Sequence, residues 1–279
     1  MELIELVKAL ILGIVEGITE WLPISSSGHM ILVNEFLHLN VSRDVWDVFF
    51  VVIQFGAIMA VVVLYFHKLF PFYKESGRIQ ISGETISLWC KIIIACVPAA
   101  IVGILFDKKI EEEFYNWQTV SIMLIVFGII FIVVEMRKIK PRFLTLNTLS
   151  YYAVIIIGLF QLVAAILPGT SRSGATIVGA LLLGVSRTIA TEFTFFLAVP
   201  VMLGASLLKI AKYVARFGLS FTGTEVAVLL LGTLTAFVVS LFAIKFLIGY
   251  IKKHDFKVFG WYRIVLGVLV IVYFNVIAG

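Results

Sequence analysis

Six stretches of about 20 almost unbroken apolar residues, at 46–66, 86–106, 117–136, 189–211, 225–248 and 258–278, decide what this chain can become. Each is long enough to cross the hydrocarbon core of a bilayer as a helix. Inside hydrocarbon every backbone N–H and C=O must find a partner within the protein, which leaves helices and closed barrels. Runs this long without alternation belong to helices. Composition agrees: 61% of the 279 residues are hydrophobic and 14% charged, against about 25% charged in soluble domains. A soluble core of this length could not hide so much apolar surface. The chain therefore reads as all-α, a polytopic membrane helical bundle in a single membrane domain. Disordered chains, coiled coils and disulfide-stapled secreted modules are excluded by the same figures.

The net charge of +5 is not a nucleic-acid footprint. Its cations sit in short clusters between apolar runs, as in Arg137, Lys138, Lys140 and Arg142, the pattern of membrane-flanking loops. Cys90 and Cys96 fall six residues apart in one apolar stretch and point in different directions on a helix, so neither a disulfide nor a metal site is expected. Glu2, Glu5 and Lys8 precede a short apolar run that ends at Glu16. No basic n-region or small-residue cleavage site is present there, so no removable signal peptide is read.

Two further apolar regions, 2–37 and 150–185, are interrupted in the middle. The first breaks at Pro23-Ile24-Ser25-Ser26-Ser27-Gly28-His29 and the second at Pro168-Gly169-Thr170-Ser171-Arg172-Ser173-Gly174. Each arm is short for a crossing, so each region is expected to form a broken re-entrant helical hairpin. Non-helical backbone at membrane depth survives only when buried in protein or lining a wet cavity. A shift of 145 positions lays Gly13 on Gly158, Glu16 on Gln161, Pro23 on Pro168, Ser26 on Ser171 and Asp47 on Glu192, and one gap aligns Gly28 with Gly174. The chain thus divides into halves 1–140 and 148–279, each with one hairpin and three spanning helices. Three spans per half is odd, so the second half enters the membrane inverted, an inverted-topology repeat. The loops 67–85, 137–149 and 249–257 hold ten Lys and Arg, whereas 38–45, 107–116 and 212–224 hold five together with the acidic run Glu111-Glu112-Glu113. The first set is expected on the cytoplasmic side, with both termini outside.

The interruptions carry the chemistry. Glu16 and Glu20 lie one helical turn apart on one face. Such a pair within an apolar segment is costly and faces a cavity, a counter-charge or a cation; its members separate in proton affinity or share a divalent cation. Ser25, Ser26 and Ser27 with His29 offer a nucleophile and a proton-transfer group in one turn, although an N-cap alone would account for one serine and Gly28. Thr170-Ser171-Arg172-Ser173-Gly174-Ala175-Thr176 sets Arg172 among hydroxyls at a helix start, where free amides and the positive dipole end favour an anion and a guanidinium fork adds bidentate phosphate recognition. The two loops together are expected to form one composite site. Elsewhere, Glu192 and Asp47 are expected to cap helices or to pair with Arg187 or Arg43, Gln54 to hydrogen-bond across helices, and Glu135, Lys245 and Arg263 to reach the membrane interface. No Walker loop, zinc motif or dinucleotide fingerprint occurs.

The run Glu16-Gly17-Ile18-Thr19-Glu20-Trp21-Leu22-Pro23-Ile24-Ser25-Ser26-Ser27-Gly28-His29 resembles the first signature of the bacterial undecaprenyl-diphosphate phosphatase, or bacitracin-resistance, family. Pro168 to Thr176 resembles the second. The likeness spans essentially the whole chain, with Ser27 standing where some relatives carry Thr. It implies hydrolysis of undecaprenyl diphosphate to undecaprenyl phosphate and inorganic phosphate, recycling the lipid carrier of peptidoglycan synthesis. It implies a divalent cation, magnesium or calcium, held by Glu16 and Glu20. Ser26 is then the nucleophile, Glu20 and Glu16 the acid–base or metal groups, and His29 a proton-transfer partner. Arg172 clamps the phosphate with Ser171, Ser173, Thr176, Ser25 and Ser27 around it. Direct attack by water, without a phosphoserine, remains open. The implied setting is the bacterial inner membrane, with the site open to the extracytoplasmic face. A polyprenyl diphosphate and membrane lipids are the expected partners, nucleic acid is not, and a homodimer is left open. Inverted repeats with broken helices also suit a flippase or a secondary transporter of an anionic substrate, the competing reading.

Overall fold

The computed structural model describes residues 2–75, 78–218 and 220–277, with the side chains of all but Asp107, Glu111 and Ile277. Parts of the expected loops (positions 76, 77 and 219), the Glu111 side chain, Met1 and the last two residues of the second half lie outside this description.

Among the described residues eleven α-helices follow one another: α1 (Glu2–Thr19), α2 (Ser26–Leu37), α3 (Arg43–Leu64), α4 (Phe66–Leu69), α5 (Gly83–Phe114), α6 (Trp117–Met136), α7 (Tyr151–Ile166), α8 (Arg172–Leu182), α9 (Arg187–Phe217), α10 (Gly223–Ile251) and α11 (Lys257–Val272), the last running on into a π-helical turn (Tyr273–Ile277). Strands β1 (Phe72–Glu75) and β2 (Arg78–Ile81) form a small antiparallel hairpin between α4 and α5. Helices α3, α5, α6, α9, α10 and α11 contain the six segments long and apolar enough to span a membrane. Several starts are set by side chains that accept an orphan amide of the first turn: Ser42 from Val45, Asn116 from Thr119, Ser150 from Ala153, and Thr222 with Glu225 in a capping box.

Both interrupted regions are helix–break–helix units, α1–α2 and α7–α8, as expected. The connection between α5 and α6 is not. Helix α5 continues through most of 107–116, because its polar final turns remain good helix, with Lys109 and Glu113 at i,i+4 spacing 3.9 Å apart. The loop 67–85 likewise contains α4 and the β-hairpin.

Packing crosses the chain midpoint. Helix α1 lies against α10, α7 against α5, α6 against α11, and α3 against both α9 and α10. Lipid tails supply no hydrophobic drive between helices, so close backbone approach has to hold them together. A Cβ added to Gly56 on α3 would stand 2.3 Å from the Thr233 carbonyl oxygen of α10, and one on Gly158 of α7 would stand 2.5 Å from the Ala95 carbonyl oxygen of α5. Polar contacts sort the helix ends into two sets. Glu135 bonds to Arg187 and Phe256, and Lys68 to Glu192, at one end, and Asp47–Lys209, Asp44–Arg216 and Glu2–Thr224 meet at the other. These are the two loop sets expected from sequence.

Gly56→Ala should therefore be overpacked, lowering stability by about 1–3 kcal/mol. Gly249→Ala on α10, where nothing lies within 4 Å, should be neutral or slightly stabilising. Thermal unfolding of the two variants in nanodiscs checks the contrast.

Candidate active site

The two breaks are built alike. Pro23 and Pro168 follow the first arms, and each second arm begins at a serine forced to positive φ, Ser25 at 74° and Ser171 at 68°. Each of these serines accepts a hydrogen bond from the amide three residues on, Gly28 at 3.3 Å and Gly174 at 3.2 Å. A non-glycine residue in this region is strained and persists only where its surroundings hold it. This matched geometry sets Ser25 opposite Ser171, whereas the sequence shift sets Ser26 there. The second break is one residue longer after its proline, so the gap falls before the cap and not after it. Ser26 of α2 and Arg172 of α8 are consequently equivalent first residues of their helices.

Both of those residues reach the same carboxylate. Ser26 Oγ donates to Glu20 Oε2 at 2.6 Å, and Arg172 Nη2 donates to Glu20 Oε1 at 2.8 Å. Arg172 Nη1 is fixed by the Thr194 carbonyl of α9 at 2.9 Å. Ser173 Oγ donates to the Glu20 carbonyl at 3.2 Å and lies 3.1 Å from Ser171 Oγ. A hydroxyl and a guanidinium, each from the first residue of a helix, thus converge on one buried anion, and a helix start with a guanidinium is a setting that binds phosphate elsewhere. Glu20 and Ser26 are both buried, so these charges act in a low dielectric and count for more than in water.

One turn earlier, Glu16 is fully buried and neither of its oxygens has a hydrogen-bond partner. An ionised carboxylate in that state is costly, and a cation alongside would offset the cost. The donors at hand are hard oxygens: two carboxylates plus the hydroxyls of the serine turn. They suit magnesium or calcium. Among the described residues no three Asp, Glu, His or Cys cluster as a complete ligand set, so such a cation would draw its remaining ligands from hydroxyls, carbonyls, water or substrate oxygens.

The other expected site residues divide. Ser27 lines a cavity of ≈ 450 Å³ together with Met30, Asn34, Arg43, Trp46 and Lys209, so the serine turn borders open space. Thr176 is turned into the protein, donating to the Arg172 and Ser173 carbonyls and lying 2.8 Å from Thr194 Oγ1. His29 is not hydrogen-bonded to Ser26 or Glu20. Its Nδ1 is 2.7 Å from the Ser25 carbonyl, which can only accept, so Nδ1 carries the proton and Nε2 accepts from the Tyr262 hydroxyl at 2.7 Å. The imidazole braces the strained cap against α11.

Arg263 departs furthest from the sequence reading. Expected at the membrane interface, it is fully buried and donates to the carbonyls of Pro23 at 3.3 Å, Gly169 at 2.8 Å, Thr170 at 2.8 Å and Met123 at 3.3 Å. One guanidinium therefore ties both breaks and α6 together. Glu135 is buried as well, paired with Arg187 through both oxygens (2.9 Å from Nε to Oε1) and accepting from the Phe256 amide at 3.1 Å. Glu192 pairs with Lys68 at 2.8 Å and Asp47 with Lys209 at 4.0 Å, partners distant in sequence. Thr194 and Tyr262, which hold Arg172 and His29, carry no local motif. Arg263 had one available signal, a lone cation inside an apolar span.

Comparison with known proteins follows this geometry. The family described as Bacitracin resistance protein BacA matches residues 9–269. A protein of Clostridium acetobutylicum named undecaprenyl-diphosphatase 1 is 61% identical over 99% of this chain and 100% of its own length. An undecaprenyl-diphosphatase of Desulfitobacterium hafniense is 60% identical over 99% of this chain and 98% of its own, and one of Enterococcus faecalis is 56% identical over 95% and 96%.

Arg263→Met should leave the three buried carbonyls of Pro23, Gly169 and Thr170 short of a donor and cost about 3 kcal/mol or more. Faster amide hydrogen exchange is expected around 22–26 and 168–172, with the spanning helices unchanged. Arg263→Lys, which keeps the charge without the fork, should fall between the two.

Proposed function

Since the chain belongs to the bacitracin resistance protein BacA family, we propose that its central cluster hydrolyses undecaprenyl diphosphate to undecaprenyl phosphate and inorganic phosphate. The observation that carries this reading is the Ser26–Glu20–Arg172 chain of hydrogen bonds. It has the parts of an activated nucleophile: a hydroxyl, a base within reach, and a third group that orients the base.

With a diphosphate present, the Arg172 fork and the first-turn amides of α8 would take the terminal phosphate oxygens. Moving Arg172 from carboxylate to phosphate frees Glu20 to accept a proton. Ser26 Oγ then attacks the terminal phosphorus while its proton passes to Glu20. The bond from that phosphorus to the bridging oxygen breaks, and undecaprenyl phosphate leaves. Glu20 passes that proton to the departing undecaprenyl phosphate and, a carboxylate again, takes one from water as the water oxygen attacks the phosphoserine phosphorus. The P–Oγ bond breaks, inorganic phosphate leaves, and Ser26 Oγ recovers a proton from Glu20. Arg172 and the paired helix ends stabilise the charge that builds on the equatorial oxygens in both steps. Glu16 and Glu20 would hold a divalent cation, magnesium or calcium, whose contribution is charge neutralisation at the phosphate oxygens. His29 keeps the serine turn in register through the Ser25 carbonyl.

The same reading places the protein in the bacterial cytoplasmic membrane with its less basic end outside and the Ser27-lined cavity facing outward, so that the lipid headgroup enters from the leaflet surface. The two halves then lie inverted, and the α1–α10 and α7–α5 pairings support that arrangement. Returning the monophosphate carrier to use would serve peptidoglycan and other envelope polymers. Removing the diphosphate would also confer bacitracin resistance.

Purified protein with magnesium or calcium should release phosphate from undecaprenyl diphosphate in detergent, and a chelator should abolish release. Arg172→Ala and Glu20→Gln should each lower kcat by about 10²–10³-fold while the protein still folds, with a lowered unfolding temperature. Ser26→Ala should be inactive; full activity in that variant points to direct attack by water. Binding of the lipid without any phosphate release overturns the reading in favour of lipid carriage.

A further inference from the structure

We propose that the β1–β2 hairpin is an interfacial membrane anchor whose partner is the anionic lipid surface. Its register pairs Phe72 with Ile81, Tyr73 with Gln80, Lys74 with Ile79 and Glu75 with Arg78. Side chains opposite each other share a face and neighbours along a strand alternate. Phe72, Ile81 and Ile79 therefore lie on one face with Lys74, and Tyr73, Gln80, Glu75 and Arg78 on the other. The hairpin is amphipathic, yet its apolar face is uncovered: Phe72 is 49% exposed, Ile79 77% and Ile81 61%. Isolated two-stranded ribbons are marginal in water, so a stable one with a bare apolar face implies a partner.

The position of the hairpin says which partner. The apolar face continues the lipid-facing surface of the spanning helices through a run of rings that starts just beyond α3. Phe66 stacks on Phe70 at 5.0 Å, and Phe70 meets Phe72 at 5.5 Å. The hairpin base is fixed at that level, since the Ser82 amide donates to the Pro71 carbonyl at 2.8 Å and Trp89 Nε1 donates to the Leu69 carbonyl at 2.8 Å. Aromatic rings at a helix end mark the headgroup level. Lys74 and Arg78 make no ion pair among the described residues, and this end of the molecule carries most of the loop cations, which anionic headgroups complement. The ribbon would thus lie along the bilayer surface with Phe72, Ile79 and Ile81 at the acyl boundary.

The test uses the full chain in a Cys90→Ser, Cys96→Ala background, with an environment-sensitive fluorophore on Ile79→Cys or, on the opposite face, on Arg78→Cys. Both positions are exposed, so neither substitution disturbs packing. In phosphatidylcholine nanodiscs the label at 79 should emit further to the blue than the label at 78 and be quenched several-fold more by spin-labelled lipid. Adding phosphatidylglycerol should increase that quenching, and Lys74→Gln should remove the increase. Equal quenching at the two positions overturns the proposal. So does a label at 79 shielded from lipid and aqueous quenchers alike, as a second copy of the chain would shield it, or quenching indifferent to phosphatidylglycerol.

Discussion

Inside a bilayer no backbone polar group can borrow a partner from solvent, and the rest of this structure follows from how two interrupted helices meet that demand. Each break strands carbonyls at the end of one arm and amides at the start of the next. Of the amides, those of Gly28 and Gly174 are met by the Ser25 and Ser171 caps. The carbonyls of Pro23, Gly169 and Thr170 are met together by Arg263. A single buried cation at this depth is otherwise hard to justify. Here it ties two weak points into one junction, and the Glu20, Ser26 and Arg172 cluster lies at that junction.

The same junction explains why a carboxylate, Glu20, sits between Ser26 and Arg172. Two helix N-termini and a guanidinium create a strongly anion-attracting point in a low dielectric. Leaving it empty would be costly, and the protein's own carboxylate fills it. In the proposed mechanism an incoming phosphate would compete with Glu20 for Arg172, so that recognition of the anion and release of the base become one event. Glu16 lies buried one turn away, with no hydrogen-bond partner for either oxygen.

Much of this was legible in the residues. Apolar runs near bilayer length located the spanning helices, and the two Pro-to-Gly interruptions located the hairpins and the cluster of Glu20, Ser26 and Arg172. Local rules reached less far where long-range contacts decide. Arg263 and Glu135 read as interfacial because their partners, backbone carbonyls of both breaks and Arg187, lie far away in sequence. The extension of α5 was hidden because polar helix beyond the hydrocarbon looks like loop to a hydropathy criterion. His29 stands next to the serine turn in sequence, but the Ser25 carbonyl and Tyr262 aim its ring elsewhere. The equivalence of Ser25 with Ser171 emerged only from their shared left-handed backbone.

That equivalence has a consequence for assembly. The first residues after the two caps, Ser26 and Arg172, occupy matching places and meet at one carboxylate. Two identical copies of a half-length chain, related by a twofold axis, would put the same residue in both places: a pair of hydroxyls with nothing to grip a phosphate, or a pair of guanidiniums with nothing to attack it. Joining the halves in one polypeptide lifts that requirement of sameness, so the proposed division of labour between gripping and attacking is one that two identical copies could not have.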